Sequence, residues 1–235
     1  MQIKNLCKSY KKGIKTIDSL NLQVNAGEIY GFIGHNGAGK STTIRCMVGA
    51  LDFEDGEILI DGLNVKNQAL DCKRLMAYIP DNPDIYDHLT GFQYINFVCD
   101  IFRIDGKERN EKIERFALEF GLEKNLGDLI SSYSHGMKQK LVIISALIHN
   151  PKLLVLDEPF VGLDPVATHK LKEQMKELCK NGSAIFFSTH VLDVAEKLCD
   201  RVGIIKNGSL VAEGEVKELL KDKSLESFFL EIQNA

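Results

Sequence analysis

The stretch 34-GHNGAGKS-41, entered from 28-EIYGFI-33 and leaving into 41-STTIRCMVG-49, decides the fold. It reads as a strand, a glycine-rich loop and the start of a helix, and it fits the pattern GxxxxGK[ST]. Gly34, Gly37 and Gly39 let the backbone curl so that successive N–H groups point inward at phosphate oxygens. His35, Asn36, Ala38 and Thr42 complete the phosphate-contacting stretch, His35 filling a variable position with no chemistry of its own. In this pattern Lys40 reaches the β- and γ-phosphates, Ser41 ligates Mg²⁺, and the helix N-terminus adds its positive end. A glycine-rich turn without a ligand is the alternative, and the strand before and helix after it argue against that.

Working outward, short apolar blocks at 3-IKNL-6, 20-LNLQV-24 and 57-EILIDG-62 predict strands, and residues 40–50 predict a helix. From about Thr90 to Asn150 the periods are helical throughout, closed by Asn150-Pro151. Strand signals return at 153-LLVLDEP-159, 184-AIFFSTH-190 and 201-RVGIIKNGSLVAEG-214, the last with an Asn207-Gly208 hairpin turn. Helices fit between them at about 165–180 and 192–199. Apolar strands alternating with helices predict an α/β fold with a parallel sheet covered on both faces. The tail 224-SLESFFLEIQNA-235 is amphipathic and predicts a helix folded back on the core.

Two further stretches carry chemistry. Asp157 and Glu158 end a hydrophobic strand, where open parallel sheets hold their ligands. There, Asp157 can hold Mg²⁺ through water while Glu158 accepts a proton from an attacking water. Alone, two adjacent acids would be a solvated edge; beside a phosphate loop they point to a nucleotide hydrolase. In 132-SYSHGMKQK-140, Ser134 reads as an N-cap with Gly136 leaving open backbone one step inside, an arrangement that faces water or an anion.

Composition sets the outer limits. The 235 residues carry a net charge of −4, which gives no general attraction to nucleic-acid backbones, and no nucleic-acid partner is expected. The six cysteines form no CxxC pair and no Cys/His cluster, so they read as reduced packing residues in a cytosolic setting. Neither a secretory signal nor a membrane span is legible, the longest mostly apolar run being 141-LVIISALI-148. If the protein works at a membrane, another chain must supply the span.

Taken in order, "GHNGAGKST", "YSHGMKQKL", "LLVLDEP", "GLDP" and "STH" resemble the nucleotide-binding subunit of an ABC (ATP-binding cassette) transporter, over essentially the whole chain. The resemblance implies a P-loop NTPase, RecA-like core with an N-terminal antiparallel β subdomain and an inserted helical subdomain. It divides a single domain, 1–235, into 1–83 and 151–215 for the core with its β subdomain, 84–150 for the helical signature subdomain, and 216–235 for a C-terminal tail. It implies ATP and Mg²⁺ as cofactors, hydrolysis to ADP and phosphate, and a head-to-tail dimer with a second copy or a related cassette. In that dimer Ser134 and the Gly136 N–H of one subunit meet the γ-phosphate held by the other, though Ser134 can equally be a helix cap. The resemblance further implies that His190 bonds the γ-phosphate and orients water, that Asp164 runs along the dimer seam, and that Tyr10 stacks on adenine. An integral membrane permease is the implied partner, with the subunit on the cytoplasmic face of the cell membrane. The short cassette, "YSHGMKQKL", the acidic residue after Pro80 and the tail resemble the branch that exports drugs, antibiotics or peptides, with lipid a further possible cargo.

The chain departs from the family pattern at several positions. Asp81, not glutamine, follows "LMAYIP", so either Asp81 offers its oxygen to Mg²⁺ or a one-residue shift gives Asn82 that role. Tyr133, His135 and Met137 replace the usual signature residues; His135 is either a donor near the second nucleotide or a solvated helix-start histidine. Two other functions stand beside the transporter reading. A soluble ABC ATPase acting on nucleic acid or ribosomes would carry two cassettes or a coiled-coil insertion, neither visible here. A P-loop metabolite kinase would leave "YSHGMKQKL" and "GLDP" without a purpose.

Overall fold

The computed structural model describes residues 1–11, 13–221 and 223–234; Lys12, Asp222 and Ala235, which the sequence reading includes in its spans, lie outside the described residues. Two sheets form the frame. Strands β1 (Gln2–Lys11), β2 (Ile14–Gln23), β4 (Asp55–Ile60) and β5 (Leu63–Asn64) make an antiparallel sheet in the order β2-β1-β4-β5. The second sheet runs β10-β9-β3-β8-β7-β6, built from β3 (Ile29–Ile33), β6 (Met76–Ile79), β7 (Leu153–Asp157), β8 (Ala184–Thr189), β9 (Arg201–Lys206) and β10 (Ser209–Glu215). Five of its strands are parallel and only β10 is antiparallel, returning from β9 through Asn207 and Gly208, both at positive φ as a tight hairpin requires.

The alternation of side chains along the central strands explains the layers. On β3, Ile29 and Ile33 enter the core on one face while Tyr30 and Phe32 enter the core on the other. β7 does the same with Leu154 and Leu156 against Leu153 and Val155, and β8 with Ile185 and Phe187 against Ala184 and Phe186. A strand buried on both faces has no polar side to show, which is why these segments are continuously apolar. One face packs on the antiparallel sheet with helix α1 (Lys40–Met47) between the two, through Ile44 and Met47. The other packs on α6 (Pro165–Lys180), whose Ala167, Leu171, Met175 and Leu178 recur at helical spacing.

Helices α3 (Gly91–Ile101), α4 (Gly106–Phe120) and α5 (His135–Leu147) fill the span between β6 and β7. Their ends are written locally: Thr90 and Gln93 form a capping box, Asp105 caps α4, and Gly121 ends it in the left-handed conformation. The one strand-like contact there is an isolated bridge between Thr90 and Leu129. The helix expected over 40–50 closes at Met47, because Gly49 at φ 68° cannot continue it. α2 (Ala69–Leu75) and β5, which have no strong period, are additions to the elements read from sequence. At the C-terminal side lie α7 (Leu192–Leu198), α8 (Val216–Leu220) and α9 (Leu225–Asn234), the last burying Leu225 and Phe229. All six cysteines are free thiols and five are buried. Among the described residues, no helix is long and apolar enough to cross a membrane.

Candidate nucleotide site

The phosphate loop leaves the buried strand β3 and closes into α1 at Gly39, whose φ of 113° lies where a side chain is strained. No side chain caps α1, so the amides of its first turn stay open to an anion. Lys40, 7% exposed, folds over its own loop: its Nζ donates to Gly34 O at 2.7 Å and His35 O at 3.3 Å, and lies 3.8 Å from Glu158 Oε1. Desolvation pulls the Lys40 pKa down, and the carboxylates of Glu158 and Asp157 oppose that by favouring the cation.

A cleft of about 290 Å³ opens over this loop. His35, Asn36, Gly37, Gly39, Lys40, Ser41 and Thr42 form its floor, and Asp81, Asp157 and Glu158 form its acidic wall. Thr16, from β2, also lines it and was not singled out in the sequence, since nothing in its neighbours marks it. Gly34 and Ala38 support the loop from beneath; Ala38 is buried, and its amide donates to His35 O at 3.1 Å. Tyr10 stands at the rim, 58% exposed, with its Oη 3.3 Å from Thr42 Oγ1.

The acidic wall comes from the ends of β6 and β7, and Ser188 and His190 reach it from the end of β8. Asp157 is 1% exposed, and Ser188 Oγ donates to its Oδ1 at 2.5 Å, fixing the carboxylate. Ser188 lies within the quoted "STH", yet its bond to Asp157 crosses between strands and is invisible in either segment alone. Glu158 turns out of the strand at φ 48°, its amide donating to Ser188 O at 3.2 Å. This brings Glu158 Oε1 to 2.9 Å from His190 Nδ1, while the His190 amide donates to Glu158 Oε2 at 3.4 Å. Ser41, Asp157 and Asp81 all line the cleft and carry oxygen donors of the kind a hard cation such as Mg²⁺ takes. Asp81 lines the cleft, and its Oδ1 accepts the amide of Asn82 at 2.9 Å; Asn82 does not line it.

The remaining expected residues gather elsewhere. Ser134 caps α5, accepting the Met137 amide at 3.3 Å, and with Gly136 it stands apart from the residues that line this chain's own cleft. Asp164 caps α6 through the Ala167 amide at 2.8 Å and meets Lys140 at 2.6 Å, so α5 is tied near its middle to the loop after β7. The hydrogen bond from Lys140 is the main cause holding the Asp164 carboxyl below its ordinary pKa. His135 does not line the cleft and is exposed, as a helix-start histidine in water would be, with its ring edge over Gly162, where an added Cβ would come 2.9 Å from Cδ2.

A glycine-rich loop at the end of a central parallel strand, facing Asp157 and Glu158 at the end of β7 two strands away, defines a P-loop nucleoside triphosphatase. A family profile described as ABC transporter matches residues 17–161. The chain is 33% identical to the ABC-type transporter ATP-binding protein EcsA of Bacillus subtilis, over 99% of this chain and 96% of that protein. It is 34% identical to the bacitracin transport ATP-binding protein BcrA of Enterococcus faecalis, over 94% of this chain and 71% of the relative. A solved ATP-binding subunit of an ABC transporter superposes with a TM-score of 0.95 at 33% identity, covering 99% of this chain and 98% of the other. The chain belongs to the ABC transporter family, as an ATP-binding and ATP-hydrolysing subunit.

Proposed function

We propose that Glu158 is the general base for ATP hydrolysis in a site completed by a second subunit. The observation that carries this is the placement of Glu158 Oε1 between His190 Nδ1, at 2.9 Å, and Lys40 Nζ, at 3.8 Å. In this reading the loop amides and Lys40 bind the phosphates, Glu158 accepts the proton of the attacking water, and His190 orients that water and the γ-phosphate. Tyr10 stacks on the adenine. Ser41, Asp157 and Asp81 would hold Mg²⁺, which when bound neutralises phosphate charge. Asp81 is favoured over Asn82 because Asp81 lines the cleft.

The opposite face of the nucleotide falls to Ser134 and Gly136 of another copy or a related cassette. Support comes from their absence from their own cleft and from exposed Val161 and Val166 flanking Asp164, apolar surface suited to a seam. Residues 84–150 then act as a helical lever on the core 1–83 and 151–215, with 216–235 as a tail. Exposed Tyr86 and Phe97, whose ring centroids lie 5.9 Å apart beside the Asp81–Thr90 segment, form a surface fitted to a short helix of an integral membrane permease. This would hold the subunit at the cytoplasmic face of the membrane. The likeness to a bacitracin transport protein favours export of a drug, antibiotic, peptide or lipid over other transport.

The test is transport and hydrolysis measured together after co-expression with the membrane protein that co-purifies. Glu158→Gln should abolish both, whereas Tyr86→Ala with Phe97→Ala should abolish transport and leave basal hydrolysis near wild type. Ribosomes or DNA recovered in place of a membrane protein would instead favour the soluble-ATPase alternative.

A further inference from the structure

The C-terminal helix α9 reaches the phosphate loop. It is mounted on α7, the helix that follows His190, by a 2.7 Å bond from the Leu225 amide to Glu196 Oε2, and on β9 by a 3.2 Å bond from Lys206 Nζ to Ile232 O. Leu225 is wholly buried and Phe229 is 7% exposed. From this mount the Phe229 ring meets the His35 ring edge-on, with centroids 5.0 Å apart and planes at 63°.

His35 has a place in the loop that its variable position in the pattern does not suggest. Its carbonyl accepts both the Ala38 amide at 3.1 Å and Lys40 Nζ at 3.3 Å. The other carbonyl holding Lys40 belongs to Gly34, which is wedged against β9: a Cβ at Gly34 would lie 2.6 Å from Ile205 O. Both groups that seat Lys40 are therefore braced from outside the loop, one by Ile205 and the other, through the imidazole, by Phe229. Beside them lies a cavity of about 460 Å³, lined by Gly34, His35, Asn36, His190 and Phe229, into which the His35 ring would swing if Phe229 were shortened.

We infer that Phe229 is a positioning residue for ATP binding: the C-terminal helix acts as a buttress that fixes the His35 peptide, and through it the seat of Lys40. The inference rests on the ATP site described above. Edge-to-face aromatic pairs carry interaction energies that correspond to about two- to tenfold in a binding constant.

Calorimetric titration of the purified chain with MgATP tests this, alongside the melting temperature and kcat of each variant. Phe229→Leu keeps the core filled but removes the ring edge, and His35→Ala trims an exposed side chain, so both should fold. Each should raise the Kd for MgATP by about threefold or more, kcat of Phe229→Leu at saturating ATP should stay within about twofold, and the double variant should bind no more weakly than either single one. Unchanged affinity in Phe229→Leu and His35→Ala, or strictly additive losses in the double variant, would overturn the buttress and leave α9 as a core-filling helix. A wild-type chain without measurable MgATP affinity would instead overturn the ATP site itself.

Discussion

Glu158 Oε1 lies 2.9 Å from His190 Nδ1, a contact made across the ends of the adjacent strands β7 and β8. It depends on the backbone: Glu158 sits at φ 48°, a region in which a non-glycine residue costs on the order of 1–3 kcal/mol. An extended residue here would continue the alternation of β7. The left-handed turn brings the carboxylate back to within 3.8 Å of Lys40 Nζ, so the strained residue is the one proposed as general base.

Replacing that carboxylate by its amide separates binding from chemistry. Glu158→Gln should lower kcat by about 10²- to 10⁴-fold, the usual worth of a general base, while the Kd for MgATP stays within a few-fold of wild type. Steady-state phosphate release together with equilibrium ATP binding checks both halves.

Ser134 caps α5, and the proposed function gives it a second, separable role at the partner's nucleotide. Ser134→Ala removes the cap on α5 and should cost about 1 kcal/mol of stability as well as activity. Ser134→Asp keeps a good cap but sets a negative charge where the partner's γ-phosphate would sit. Denaturant unfolding should therefore be near wild type for Ser134→Asp, with ATPase activity of the assembled complex lost. Retained activity in that variant would assign Ser134 to capping alone.

Tyr10 is exposed at the cleft rim, with its hydroxyl against Thr42 of α1. If its ring stacks on adenine, Tyr10→Ala should weaken ATP binding by about 1–3 kcal/mol, while Tyr10→Phe should bind within about twofold of wild type. Triphosphate alone should be bound equally by all three, which nucleotide competition assays can measure.

His149 gives the fold a pH dependence remote from the site. Burial, with the Phe102 ring stacked at 3.6 Å, lowers its pKa to about 4, although bonds to the Met76 and Ser145 backbone oppose the shift. Between an unfolded-state value of about 6.5 and the folded value, the unfolded chain holds a proton that the native one does not. The contribution is therefore complete above about pH 6.5 and is lost as pH falls towards 4, by on the order of 3 kcal/mol in total. Urea unfolding of wild type and His149→Gln from pH 7.5 to 4.5 should show the wild type losing stability faster.

What the sequence discloses is what neighbours along the chain enforce. The phosphate loop is legible because its glycines, Lys40 and Ser41 act within one turn, and α6 begins where Asp164 caps and Pro165 presets the first residue. Asp157 and Glu158 are legible because a fully apolar strand ends at them. The contacts that complete the site are long-range: Ser188 on Asp157, Lys140 on Asp164, Thr16 in the cleft wall and Phe229 on His35. Each joins segments whose own patterns are satisfied without the other, so no local signal marks the pair. β5 and α2 escape for a different reason, being too short to show a period.

The central claim, that ATP is held between two subunits, is tested most directly by light scattering on Glu158→Gln with and without MgATP. The account predicts a monomer without nucleotide and a dimer with it, and a return to monomer when Ser134→Asp is added. A Glu158→Gln chain that binds MgATP yet stays monomeric at high concentration would contradict it.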